Sequence, residues 1–289
     1  MSMTPADLEG LVIGPVQHRI DPERVDAFVV ATGDDPDRWV EAAPPGYAAS
    51  LLFAVAADFL WDPRIQEHSR TLIHVDQSFV YAGPLPLDEV EIVGTVVKAR
   101  ERGGASFVTF EMTAVAPDRP LLESASTFLM SPQAAGTPPP DEGEPAAHDK
   151  ATDDRPGTAA TPGLDENLPV LMKSTSRADL VRYAAVTRDF NPIHWDHDAA
   201  RAAGLPGVVA HGLLMHSWVS QVAAAVGAGL DPVRSVKTRF RNPLRPAAQA
   251  TVGGTVRNLG DDGGHDLWVS ISTEGKDVVT AAATVRPQR

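Results

Sequence analysis

The sequence predicts an α+β protein built from two related halves. Three observations predict it. Each half carries one helix that is apolar on most sides, which implies burial all round. Each such helix is followed by four β-like runs separated by turn signals, a pattern of one buried helix and an antiparallel sheet. Short stretches of the first half also recur in the second at a period of roughly 160 residues, too long for a solenoid and suited to a duplicated domain.

In the first half, 21–31 reads as a short amphipathic helix and 48–60 as the apolar one. Strands are expected over 72–80, 89–100, 106–115 and 122–130, with Arg102-Gly103-Gly104 and Pro117-Asp118 between them. Then the composition changes. Residues 132–168 are rich in Pro, Gly, Ala, Asp, Glu and Thr and include Pro138-Pro139-Pro140-Asp141-Glu142-Gly143-Glu144-Pro145. A stretch this polar buries too little to offset its ordering entropy, so a flexible linker is expected. It divides the chain into an N-terminal domain (1–131) and a C-terminal domain (169–289).

The second half repeats the plan. A helix is expected over 176–186, with Ser176 as N-cap and Asp179 three residues on. The apolar helix follows at 213–226, where Leu213, Leu214, Trp218, Val219 and Val222 recur at helical spacing. Strands are expected over 235–240, 249–257, 267–273 and 278–285. The echoes are direct: Ser78-Phe79-Val80 answers Arg239-Phe240-Arg241, and Gly94-Thr95-Val96 answers Gly254-Thr255-Val256.

One stretch carries chemistry: Asp189-Phe190-Asn191-Pro192-Ile193-His194, followed by Ala210-His211-Gly212-Leu213-Leu214. Proline disfavours helix in the residue before it, so Asn191 should be extended and the run a loop. Such a loop can aim the Asp189 carboxylate and the His194 imidazole into one cleft. The Gly212 N–H lies in the first turn of the apolar helix, where N–H groups lack intrahelical partners and the dipole favours negative charge. Acid, base and oxyanion donor thus come from one short run.

This run resembles the signature of the MaoC-like, or type 2, (R)-specific enoyl-thioester hydratases. Arg188 stands where that family usually carries glycine. The first half resembles the FAS1-like MaoC N-terminal domain, through 28–34 and 44–53. The resemblance implies a double hotdog, in which each sheet wraps a central helix and one chain mimics a dimer. It implies hydration of 2-enoyl thioesters and dehydration of (R)-3-hydroxyacyl thioesters, with Asp189, His194, Gly212 and Asn191 as the catalytic set. Coenzyme A or acyl carrier protein enters only as part of the substrate, and no metal or other cofactor is needed. A hotdog thioesterase and a non-catalytic acyl-binding subunit are the competing readings.

The first half keeps an aspartate, Asp34, but five residues on stands Trp39 instead of histidine. From Asp34 to Gly46 is 12 residues, against 23 from Asp189 to Gly212, so the histidine-bearing part is missing. This half is expected to be non-catalytic. Small residues of its helix, Ala48 and Ala49 among them, either leave room for an acyl chain or let the sheet pack closely. His211 is read as a helix-entry residue rather than a third catalyst, and as a substrate contact, and His197 and Asp198 as capping or solvated. His216 is read as a core histidine. Lys237, Arg239 and Arg241 alternate along a strand and share a face, either for a carrier phosphate or as a solvated surface.

Composition narrows the rest. The 289 residues carry a net charge of −13, which does not suit a nucleic-acid phosphate backbone. No run approaches the ~18 apolar residues of a membrane span. The N-terminus lacks the basic region and apolar core of a signal peptide, and there are no cysteines. A cytoplasmic protein is expected, with exposed edge strands that leave a further homodimer open.

Overall fold

The computed structural model describes residues 5–66 and 69–286. In chain order the elements are β1 (Val12–Arg19), α1 (Pro22–Thr32), β2 (Ala42–Ala43), α2 (Ala48–Leu60), α3 (Pro63–Gln66), β3 (Thr71–Tyr81), β4 (Leu85–Pro86), β5 (Glu89–Arg102), β6 (Ala105–Ala116) and β7 (Arg119–Ser131). The second half continues with β8 (Leu171–Lys173), α4 (Arg177–Thr187), α5 (His197–Ala202), α6 (Gly212–Val226), β9 (Val233–Phe240), β10 (Ala250–Leu259), β11 (His265–Thr273) and β12 (Lys276–Val285).

Ten strands form one antiparallel sheet in the order β1-β5-β6-β7-β3-β9-β12-β11-β10-β8. The order is the same when read inward from either edge, if each strand is matched to its repeat. The halves join where β3 pairs β9, from Asp76 opposite Arg239 to Val80 opposite Ser235. Each half of the sheet curls around its own helix. In α2 every residue except Asp58 is buried, and in α6 every residue after Gly212. Such helices are stabilised by packing rather than propensity, each fully buried large apolar side chain contributing about 1.5–3 kcal/mol. Gly94 shows how close the helix comes: a Cβ there would meet the Phe110 ring and Val55 of α2.

The short helices start and stop where the sequence dictates. Asp21 caps α1 by accepting from the Glu23 N–H, with Pro22 at the first helical position. Ser176 and Asp179 form a reciprocal capping box on α4. Both helices end in a left-handed residue, Gly33 at φ 63° and Arg188 at φ 67°. Glycine is the residue that adopts this conformation without steric cost.

All eight expected strands are present. The two edge strands were not expected. β1 is interrupted by Gly14-Pro15 and only partly buried, so its alternation is faint. β8 is three residues long, and with β1 it forms the outer edges of the sheet.

The connecting segment has no helix or named strand, yet it is fastened along the second half. The Ala159 N–H donates to the Ala225 carbonyl and the Thr161 hydroxyl to that of Val226. The Leu168 N–H donates to Gly254. Asp153 meets the buried Lys173, and Glu144 meets His197 and Val208. Composition reports the lack of apolar periodicity but not these polar anchors. No helix among the described residues is long and apolar enough to cross a membrane.

Candidate active site

The site lies where α4 ends. After Arg188 the chain presents Asp189. The Asn191 side chain then caps a short turn, Pro192–His194, by accepting from the Ile193 N–H (3.4 Å). Asn191 is extended at ψ 121°, as its following proline requires. Its Nδ2 donates to the Leu72 carbonyl of β3 at 3.0 Å, tying the loop to the other half. Asn191 therefore fixes the loop.

Asp189 and His194 are only 8% and 6% exposed. Side-chain atoms of Asp189, His194 and His211 lie within 4.8 Å of one another. His194 Nδ1 is 2.8 Å from the Val209 carbonyl oxygen. A carbonyl only accepts, so Nδ1 carries the proton and Nε2 keeps its lone pair. His211 stacks on His194, with ring centres 3.8 Å apart and planes at 25°. Its Nε2 donates to the Asp189 carbonyl oxygen at 3.2 Å. His211 is fully buried behind the pair and holds it, as a helix-entry residue would. Stacked imidazoles direct their lone pairs alongside one another rather than at a common point, which is a poor chelate for a tetrahedral metal.

Burial sets the electrostatics. It pushes the Asp189 carboxyl up to about 7, against a hydrogen bond from the Asn191 N–H. It pushes the His194 imidazole down to about 4, against the Val209 carbonyl. Near neutral pH the pair thus holds a half-protonated carboxyl and a neutral imidazole. Gly212 opens α6 beside them, and as the first helical residue its N–H has no intrahelical acceptor.

These groups face a cavity of about 230 Å³. Asp189, Asn191, His194 and Gly212 line it, with Phe240 and Met215. The N-terminal half supplies the opposite wall: Phe53, Leu60 and Trp61 of α2 and its C-cap, Leu72 and His74 of β3, and Phe128 of β7. The wall is mostly apolar. His74 is its polar exception. Its Nε2 is buried without a partner, and burial drives its pKa down to about 3. Sequence reasoning missed this wall, because a contact between halves leaves no periodic trace; Leu72-Ile73-His74-Val75, a histidine inside an apolar strand, was the available signal.

Other expected site residues fall elsewhere. Ala48 and Ala49 are fully buried and do not line the cavity. The start of α2 packs on α6 instead: a Cβ at Gly46 would come within 2.8 Å of the Ser217 hydroxyl. The alanines serve close packing, and the cavity takes the far end of the helix. Lys237 and Arg239 are exposed on the outer face of the sheet, because Val236 and Thr238 of the same strand face inward. Only Arg241, just beyond the strand, reaches the cavity, with its Nε donating to the Thr280 hydroxyl at 3.2 Å. Asp196, not His197 or Asp198, caps α5. His216 is a core histidine, 2.8 Å from the Thr238 hydroxyl through Nδ1.

A double sheet around two helices, with this loop at the head of the second, defines a class: the protein is a double hotdog. Residues 157–275 match the family model of the MaoC like domain. Along most of its length the chain is similar to 3-hydroxyacyl-thioester dehydratase X of Mycobacterium tuberculosis, with 27% identity over 270 residues, 92% of this chain and 86% of that one. Among solved structures, a MaoC-like dehydratase superposes with a TM-score of 0.81 at 21% identity, covering 99% of this chain and all of the other. A second M. tuberculosis protein, described as having a double hotdog fold, gives 0.64 at 12% identity, covering 97% and 96%.

Proposed function

We propose that this protein is a hydro-lyase that interconverts 2-enoyl thioesters and (R)-3-hydroxyacyl thioesters at Asp189 and His194. One observation carries the reading: the buried Asp189 carboxyl and the buried His194 imidazole, its Nδ1 held by the Val209 carbonyl, line one cavity at a helix N-terminus. The similarity to a protein named a 3-hydroxyacyl-thioester dehydratase supports the reaction class. The (R) configuration follows from the resemblance of the Asp-x-Asn-Pro-x-His run.

In hydration, His194 Nε2 takes a proton from water as the oxygen attacks C3. Asp189, as the acid, protonates C2, and the electron pair that shifted onto the thioester oxygen returns. The Gly212 N–H donates to that oxygen while it carries charge. Dehydration retraces the path from the ionised pair, which has the same total number of protons. Acid–base assistance of this kind typically contributes about 10² to 10⁴ in rate, and an oxyanion donor about 3 kcal/mol. The acyl chain lies against Phe53, Trp61 and Phe128, and Arg241 at the cavity suits the phosphates of coenzyme A or a carrier protein.

The test is a panel of enoyl-CoA thioesters. Loss of the enoyl-thioester absorbance without free thiol is the expected result. Release of thiol would make the protein a thioesterase, and no turnover of any acyl length would leave it an acyl-binding subunit.

A further inference from the structure

We propose that Glu144, in the segment joining the two halves, is a positioning residue for the His194 imidazole. The inference rests on the assignment of His194 given above, but it can be read without turnover.

Glu144 lies in a stretch whose composition marks it as a solvated tether. Its side chain is nonetheless only 10% exposed. One oxygen, Oε1, accepts from the Val208 N–H at 2.9 Å and sits 2.6 Å from His197 Nδ1. Two guanidinium groups stand close, Arg245 at 3.7 Å from Oε1 and Arg177 at 3.8 Å from Oε2. Gly207 leaves room for the carboxylate, since a Cβ there would strike Glu144 Oε1.

These partners flank the catalytic imidazole on both sides of the loop. Val208 is joined directly to Val209, whose carbonyl accepts from His194 Nδ1 at 2.8 Å. The Val209 N–H also donates to Ile193, one residue before His194. His197 lies three residues after His194 and is pinned a second time by Asp141, 3.1 Å from its Nε2. One carboxylate therefore clamps the stretch that presents the acceptor and the stretch that presents the ring. Hydrogen bonds to charged groups contribute more than neutral ones, so this acidic anchor adds a directional hold to a loop whose Ile193 and Val209 already pack with Ala200 and Ala203. Its job is to keep Nδ1 protonated and Nε2 aimed into the cavity.

The experiment uses full-length protein labelled with ¹⁵N-histidine, with His194→Gln to assign the signal. In the parent protein the His194 ring nitrogens should report a proton fixed on Nδ1. In Glu144→Ala the two shifts should move toward their average, and kcat should fall about tenfold to a hundredfold with KM little changed, as for a small misplacement of a catalytic group. Glu144→Gln keeps an acceptor for the Val208 N–H but loses the charge, and should restore both readouts only in part. Asp154→Ala frees the same segment near β8, where Asp154 accepts from the Met172 N–H, and should change neither. If Glu144→Ala does not fold, Glu144→Asp, with the same charge on a shorter arm, is read in its place. An unchanged His194 tautomer would overturn the proposal. A shifted tautomer in a protein that turns over no thioester would uphold the clamp and remove the assigned reaction instead.

Discussion

The two halves run the same design to different ends. Each has a short helix ending in a left-handed residue, then an aspartate, then a buried helix opening beside it. In the second half Asp189 is joined by His194 and faces the cavity. In the first half Asp34 is just as buried and its carboxyl is likewise pushed up, to about 6, but its neighbour is the Trp39 indole. The chain between Asp34 and Gly46 is too short to hold a second histidine turn. Ser217 of α6 sits against Gly46, so the head of α2 is packed on the other helix. The lesson is that the two copies share a scaffold while only the second places an aspartate and a histidine together on the cavity. The first copy is a wall, with Phe53, Trp61, His74 and Phe128 forming the far side of the other copy's cavity.

The comparison breaks most sharply at the paired aspartates. Asp189→Asn and His194→Ala should each lower kcat by about 10³-fold in an enoyl-thioester assay, at the level expected for removal of a general acid or base. Asp34→Asn should leave kcat unchanged. Equal losses from Asp34→Asn and Asp189→Asn would show two working sites.

The pH profile sharpens it next. Productive enzyme holds a proton on Asp189 and none on His194 Nε2, or the equivalent ionised pair with the same proton count. kcat/KM should therefore rise through about 4 as His194 loses its extra proton, and fall through about 7 as Asp189 ionises. A rate that kept rising above pH 8 would contradict these roles.

Stability separates the two aspartates from chemistry. A buried carboxyl raised above its ordinary value of 3.8 binds its proton more tightly in the folded chain. The folded state therefore loses stability as pH rises from about 4 to about 6, by about 3 kcal/mol for Asp34. Asp34→Asn should make that part of the stability curve shallower, leaving the share due to Asp189, measured by denaturant midpoint at pH 4 and pH 8. An unchanged slope would place the Asp34 carboxyl in a wetter setting than its burial implies.

The smallest effect lies at the helix ends. Arg188 holds a left-handed conformation that Gly33 fills in the first half. Arg188→Gly should raise the unfolding free energy by about 0.5–1 kcal/mol, as the relief of backbone strain outweighs the added freedom of the unfolded chain. A loss of stability would mean that the arginine side chain contributes more than its strain costs.

Much of this was legible in the sequence, for reasons that differ by element. The helices α2 and α6 announced themselves through apolar residues on most sides. The capping box at Ser176 and the turn at Asn191-Pro192 are local chemistry, so they read directly. The meeting of Asp189 and His194 in one cleft was legible as a motif. The edge strands were not, because β1 is broken by Gly14-Pro15 and β8 has only Leu171, Met172 and Lys173. Nor was the apolar wall, because Leu72 and Phe128 look like any core residues until a second sheet is placed against them. Ala48 and Ala49 misled for the same reason: small residues serve close packing and open space equally, and only their full burial away from the cavity decides between them. In the connecting segment, hydropathy reported what was missing and was silent on Glu144 and Asp153, which act through charge.

The most direct measurement follows a 2-enoyl thioester through turnover and assigns the product. The account predicts an (R)-3-hydroxyacyl thioester with its thioester bond intact, formed by the parent protein and not by His194→Ala. Free thiol, an (S) product, or the same product at the same rate from His194→Ala would contradict it.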